Sequence, residues 1–187
     1  MSKIIIISWP SAVWKTTIWN VLLWKAYLNL EKVVTTTTRS LRNWELNWLD
    51  YYFTTKEDFE NRISNGEFIE YANVHWNYYW STYSELERIL KKQKNVFYNV
   101  DPQWAKTLKN NLENKYNVTS IFLLPSSIEE LKKRLKNRGE EDESNLQKRL
   151  DESQKRIQEK DFYDYNVVNS DFYKTIENIE KIIMNNR

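Results

Sequence analysis

The sequence predicts a three-layer α/β fold built on a parallel central sheet. Three observations point there. Apolar runs at residues 4–7, 95–100 and 118–124 are dense enough to be buried on both faces. Stretches with helical spacing separate and follow them. Residues 32–93 change texture to Thr, Tyr and Phe, which predicts an antiparallel insert.

Residues 3–8 read as a buried β-branched strand, and residues 15–27 as the helix that follows a short loop. The insert ends in a helix over residues 84–90. Residues 95–100 form a second buried strand ending at Asp101, and residues 118–124 a third, closed by Pro125. Ser126 and Ser127 each precede a Glu by three residues, so either can open a helix with a capping box, and Gly139 suits its end. Residues 140–160 are strongly charged, with Leu146, Leu150 and Ile157 at helical spacing, which describes a largely solvated arm. Residues 165–168 supply a last strand, and Ile176, Ile179, Ile182 and Ile183 line one face of a closing helix. One domain is expected, with a core of residues 1–32, 94–125 and 161–187, an insert at 33–93 and a lid at 126–160.

The 28 basic and 26 acidic residues leave a net charge of +2, too little for a broad nucleic-acid or membrane footprint. An anion site must therefore be local. No apolar run approaches the ~20 residues of a membrane span, and the chain has no cysteine for disulfides or thiolate metal sites. A cytoplasmic protein is expected.

The segment SWPSAVWKTT leads from a strand into a helix, the context in which G-x-x-x-x-G-K-[ST] cradles phosphates. Its candidate nucleotide-binding residues are Trp9, Pro10, Ser11, Ala12, Val13, Trp14, Lys15, Thr16 and Thr17. Lys15 stands where the phosphate-reaching ammonium belongs and Thr16 where a magnesium-binding hydroxyl belongs. Trp9 and Trp14 occupy the two glycine positions, where backbone N–H groups must face phosphate and an indole obstructs. A strand followed by a helix that merely begins Lys-Thr-Thr is the other reading of this segment alone.

Further on, TTTTRSLRNWELNWLDYYF resembles the guanylate kinase signature T-T-R-x-x-R-x-G-E-x-x-G-x-D-Y-x-F. NGEFIEYANVHWNYYWSTY resembles that family's F-I-E-x-A…G-N-Y-Y-G-[ST] stretch, and VDPQWAK its D-x-Q-G. RLKNRGEEDESNLQKRL resembles its lid, and YNVVNSD the strand before its last helix. The resemblance covers nearly the whole chain in order. It implies a P-loop NTPase fold with a GMP-binding insert and a helical lid, and transfer of the γ-phosphate of ATP to GMP or dGMP.

By this resemblance Arg39, Arg42, Tyr51 and Tyr79 clamp the GMP phosphate, guanidinium forks being matched to phosphate oxygens. Glu70 reads guanine, because a carboxylate accepts from both N1–H and the exocyclic amine. Thr35, Ser81 and Asp101 complete the guanine side. Lys15, Arg39, Arg138 and Arg149 are the implied catalytic cations, with Arg134 a further lid arginine. Thr16 and Asp101 are the implied contacts to Mg²⁺, brought with ATP as co-substrate. Asn99 replaces a carboxylate usual in the family, and His75 has no implied role. ATP and GMP are the expected partners, and nothing in the sequence specifies an oligomeric state. Two other readings use the same residues: an inactive guanylate-kinase-like interaction module, and another P-loop monophosphate kinase such as adenylate or thymidylate kinase.

Seven of the 9 tryptophans, at 9, 14, 44, 48, 76, 80 and 104, stand where these motifs have glycine; Trp19 and Trp24 lie on a predicted helix. Trp and Gly together make 11 of 187 residues, near the ordinary glycine share of about 7%. The pattern is that of a decoding difference: a source that reads UGA as glycine, rendered with a table that reads it as tryptophan. With tryptophan in place, the chain is expected to bind ATP poorly and to fold badly, Trp44, Trp48, Trp76 and Trp80 crowding tight turns and the monophosphate pocket.

Overall fold

The computed structural model describes residues 2–10, 15–74, 76–136 and 143–185. Five strands form the main sheet: β1 (Ile4–Ser8), β2 (Leu30–Lys32), β7 (Asn95–Asn99), β8 (Val118–Pro125) and β9 (Tyr165–Asn169), in the order β2-β7-β1-β8-β9. Every pairing in it is parallel, with Ile4 level with Val96 on one side and Val118 on the other. All four isoleucines of β1 are buried, as a central parallel strand requires.

Helices cover both faces. On one, α1 (Lys15–Trp24) and α7 (Phe172–Asn185) bury Ile18, Leu22, Ile176, Ile179 and Ile183 against Ile5, Ile7 and Ile121. On the other, α3 (Tyr83–Lys91) and α4 (Pro102–Leu112) bury Leu86, Ile89, Ala105, Leu108 and Leu112 against Ile4, Ile6 and Phe122. The predicted three-layer architecture is present.

The inserted sheet holds β3 (Thr35–Thr37), β4 (Tyr51–Phe53), β5 (Phe68–Val74) and β6 (Asn77–Thr82) in the order β4-β3-β6-β5. It is mixed rather than antiparallel. β6 runs against both β3 and β5, but β4 lies parallel to β3, with Thr35 level with Tyr51. The chain between β3 and β4 makes an excursion instead of a hairpin, and that excursion carries Arg39 and Arg42. Helix α2 (Lys56–Ser64), capped by Thr55, packs Phe59 against the rings of Tyr78, Phe68 and Trp80.

Helices α5 (Ile128–Lys136) and α6 (Glu143–Gln158) bury Leu131 and Leu135 against Leu146 and Leu150, so the charged stretch is less solvated than its composition indicates. Ser127 is the serine that caps α5, its hydroxyl accepting from the Glu130 N–H. Gly139 lies outside the described residues.

Two tryptophans sit in a left-handed backbone conformation, Trp48 at φ 77° and Trp76 at φ 67°, beside Gly66 at φ 67°. An L residue with a Cβ pays steric strain there that glycine avoids. The expected crowding is otherwise absent. Trp44, Trp48 and Trp76 project into solvent, and only Trp80 of the four is buried, within the aromatic cluster on α2.

Candidate active site

The carboxyl ends of β1 and β7 lie side by side, Ile7 level with Asn99, at the end of the sheet where parallel α/β proteins bind ligands. Helix α1 starts there, at Lys15, with its N-terminal N–H groups available to an anion. The side chains of Lys15 and Thr16, and Ser11, Ala12, Val13, Trp14, Arg138 and His75 entirely, lie outside the described residues. Thr17 is exposed on the first turn of α1. Trp9 departs from expectation: its indole turns into the core beside α1 and α7 and does not fill the nucleotide's place.

Helix α6 closes one wall. Arg149, Glu152, Ser153 and Arg156 face Pro10 across a cleft of about 280 Å³. The Arg156 Nη1 donates to the Pro10 carbonyl at 2.9 Å, tying the arm to the loop after β1. The sequence held no signal for this bond, which joins residues far apart in the chain. Arg134 turns elsewhere, donating to Glu130 at 2.9 Å and to the Asn169 carbonyl at 3.1 Å.

On the inserted sheet, Arg39 meets Tyr51 and Tyr79. Its guanidinium carbon is 5.5 Å from the Tyr51 ring centroid, and the Tyr51 and Tyr79 rings meet edge to face at 5.9 Å. Arg42 is exposed on the excursion after β3, its guanidinium 5.9 Å from the Trp44 ring. Thr35 stands half-buried at the start of β3, level with Tyr51.

Glu70 lies buried on β5 and accepts from the Ser81 N–H at 2.9 Å. Burial pushes its carboxyl up to about 8, against the bond from Ser81 and the neighbouring Trp104 indole, which lower it; nearby Asp101 adds to the rise. The Ser81 hydroxyl is buried against the Glu70 carboxyl, whose pKa it lowers, without closing a well-formed hydrogen bond among the described residues, and the Asn99 amide nitrogen is buried without a partner among them. A buried hydroxyl in that state favours a ligand. Asp101 caps α4, its Oδ1 accepting from the N–H groups of Gln103 and Trp104 at 2.9 and 3.2 Å.

A helix N-terminus following a buried strand, an arginine beside two phenols, and a buried carboxyl beside a buried hydroxyl therefore share one molecule, in that chain order. The guanylate kinase family model matches residues 1–186.

This chain belongs to the guanylate kinase family.

It is 40% identical over 184 residues to the guanylate kinase of Porphyromonas gingivalis, covering 98% of this chain and 97% of that one. To the guanylate kinase of Mycoplasmoides gallisepticum it is 38% identical over 181 residues, covering 97% and 91%. The crystal structure of guanylate kinase from Anaplasma phagocytophilum superposes with a TM-score of 0.72 at 32% identity, over 98% of this chain and 85% of that one. The α/β fold with a parallel central sheet is thus the family's.

Two further carboxylates matter in this guanylate kinase fold: Glu45, the Glu of the T-T-R-x-x-R-x-G-E signature, to which the resemblance gave no role, and Glu85, which lies in none of the motifs. Glu45 holds the Arg39 guanidinium, and Glu85 accepts from the Val34 N–H at 3.0 Å, from the Tyr52 hydroxyl at 3.2 Å and from Arg88 at 2.7 Å. Glu85 thereby joins α3 to the link between β2 and β3 that leads into the inserted sheet. Its one sequence signal was the Thr82-x-x-Glu85 spacing, a capping box by pattern, whose Thr82 hydroxyl does accept from the Glu85 N–H.

Proposed function

We infer that this chain transfers the γ-phosphate of ATP to GMP, giving ADP and GDP, in a molecule whose phosphate loop carries glycine at residues 9 and 14. The observation that carries the substrate choice is Glu70: a buried carboxyl beside the buried Ser81 hydroxyl, suited to the two adjacent donors on the guanine edge. Ionising it becomes favourable once N1–H and the exocyclic amine replace the missing solvent. Adenine offers no such donor pair, which disfavours AMP.

Arg39, Arg42, Tyr51 and Tyr79 hold the GMP phosphate, with Thr35, Ser81 and Asp101 on the base side. Lys15 and the first turn of α1 receive the ATP phosphates. Arg138 and Arg149, on or near the arm, supply cations to the transferring group. Phosphoryl transfer of this kind depends on positioning and charge more than on a strong base.

Among the described residues no three carboxylates or histidines gather as a metal cage. That donor set fits Mg²⁺ arriving with ATP, since this ion keeps several waters and takes phosphate oxygens with one or two protein ligands. Thr16 and Asp101 are those ligands; the Asp101 Oδ2 makes no hydrogen bond among the described residues. When bound, the ion neutralises charge on the phosphates. Residues 1–32, 94–125 and 161–187 act as the core, 33–93 as the GMP-binding insert and 126–160 as the lid.

The Trp104 indole beside Glu70, taken literally, favours the interaction-module reading, because it stands at the guanine edge. The left-handed backbones of Trp48 and Trp76 support glycine instead. A coupled ADP-release assay on the chain bearing glycine at the nine tryptophan positions, offered GMP, AMP, dTMP and UMP, tests the assignment. Turnover with GMP is expected. No ADP release with GMP refutes it.

A further inference from the structure

The geometry points to Glu45 as the positioning residue of the phosphate clamp: its carboxylate sets which edge of the Arg39 guanidinium faces the monophosphate. This rests on the reading of Arg39 and Arg42 as that clamp.

An arginine has five N–H donors on two usable edges. The Arg39 Nη2 donates to Glu45 Oε1 at 2.6 Å, and its Nη1 donates to Glu45 Oε2 at 2.9 Å and to the Ser40 carbonyl at 2.7 Å. The end of the fork, with the outer hydrogen of Nη1, is thereby occupied. The remaining donors lie on the side edge, Nε–H and the second Nη2–H, a pair with the spacing of two phosphate oxygens, and the Tyr79 phenol that shares the clamp also reaches the guanidinium. The Tyr51 and Phe53 rings, each centred 5.5 Å from the guanidinium carbon, limit its rotation about the Glu45 bonds.

Glu45 also reaches the second arginine. Its Oε2 accepts from the Arg42 N–H at 3.0 Å, while its own N–H donates to the Arg42 carbonyl at 3.0 Å. One carboxylate therefore closes the turn that presents Arg42 and orients Arg39. The two side chains cover each other, with exposures of 14% for Arg39 and 10% for Glu45, on an excursion most of whose other residues face solvent. Its bidentate geometry makes the pair stronger than a single-contact ion pair at the surface. Glu45 is also an anion beside an anion site, and charge alone predicts the opposite effect: removing it would strengthen phosphate binding. The sign of the change separates orientation from competition.

The experiment is steady-state kinetics on the full-length chain bearing glycine at the nine positions, with E45Q, E45D and R39K, and the thermal midpoint measured in parallel. E45Q is expected to raise KM for GMP roughly tenfold to a hundredfold. KM for ATP and the thermal midpoint are expected to stay near the parent, kcat at saturating GMP to change less than KM, and E45D to recover part of the loss. A KM for GMP that is unchanged or lower in E45Q, with R39K raising it, overturns the role of Glu45. R39K and E45Q both without effect sinks the clamp reading itself.

Discussion

Trp76 and Gly66 share one backbone conformation, φ 67° in each, although one bears an indole and the other no side chain. Gly66 meets nothing within 4 Å of where a Cβ would stand, so backbone conformation, not space, is what favours glycine there. Trp76 is 86% exposed and Trp48 73%, so neither indole offsets its strain by packing. W48G and W76G are expected to raise unfolding free energy by about 1 kcal/mol each, the cost of a left-handed residue less glycine's added chain entropy. Urea denaturation checks it.

Glu70 titrates near 8 in this chain because burial outweighs its hydrogen bonds. Its folded pKa lies above the ordinary 4.5, so the folded protein holds a proton that the unfolded chain releases. Stability from this group is full below pH 4.5 and is lost as pH rises toward 8. E70Q is expected to flatten that slope, by on the order of a few kcal/mol across the window, while abolishing turnover of GMP. Denaturation at pH 5, 7 and 8.5 reads the first effect.

Arg156 fastens α6 to the loop after β1 through the Pro10 carbonyl. R156A is expected to raise KM for ATP roughly threefold to tenfold and to leave KM for GMP within error, because a partly buried charged donor contributes about 1 kcal/mol. Equal changes for both substrates would place the bond's effect elsewhere.

Glu31 collects Arg88 at 2.6 Å, Lys92 at 2.9 Å and Lys94 at 2.9 Å at the edge of the main sheet. Burial raises its pKa, but these three cations outweigh it and bring the carboxyl down to about 2. A depressed carboxylate contributes stability above its ordinary pKa and loses it as pH falls. The stability gap between parent and E31Q is therefore expected to shrink between pH 4.5 and 2, read by thermal melts across that range.

Much of the fold was legible because it rests on local patterns. Ile4 to Ile7 could only be a doubly buried strand, and the isoleucines of α7 repeat at helical spacing over a buried face. Helix α4 has a local sign of its own, Asp101 as cap and Pro102 at the first turn, but the same aspartate also reads as a site charge, and the two readings compete. The parallel pairing of β3 with β4 had no local sign, since a chain excursion and not a turn sets it. At the site, motif spacing found Arg39 and Glu70, each carried by its strand or the loop after it. It contained Glu45 as a signature position without revealing that the carboxylate holds Arg39, and it gave no sign of Arg156, whose partner lies across the whole chain, where no periodicity reaches. The direction of Trp9 was likewise hidden, because only the packed α1 and α7 leave room for its indole in the core.

Peptide mass spectrometry across residues 8–17 of the protein isolated from its native source tests most directly whether a bare backbone faces the nucleotide's phosphates. Glycine at residues 9 and 14 is the expected result. Tryptophan at both would contradict a working phosphate loop and leave the fold without its kinase.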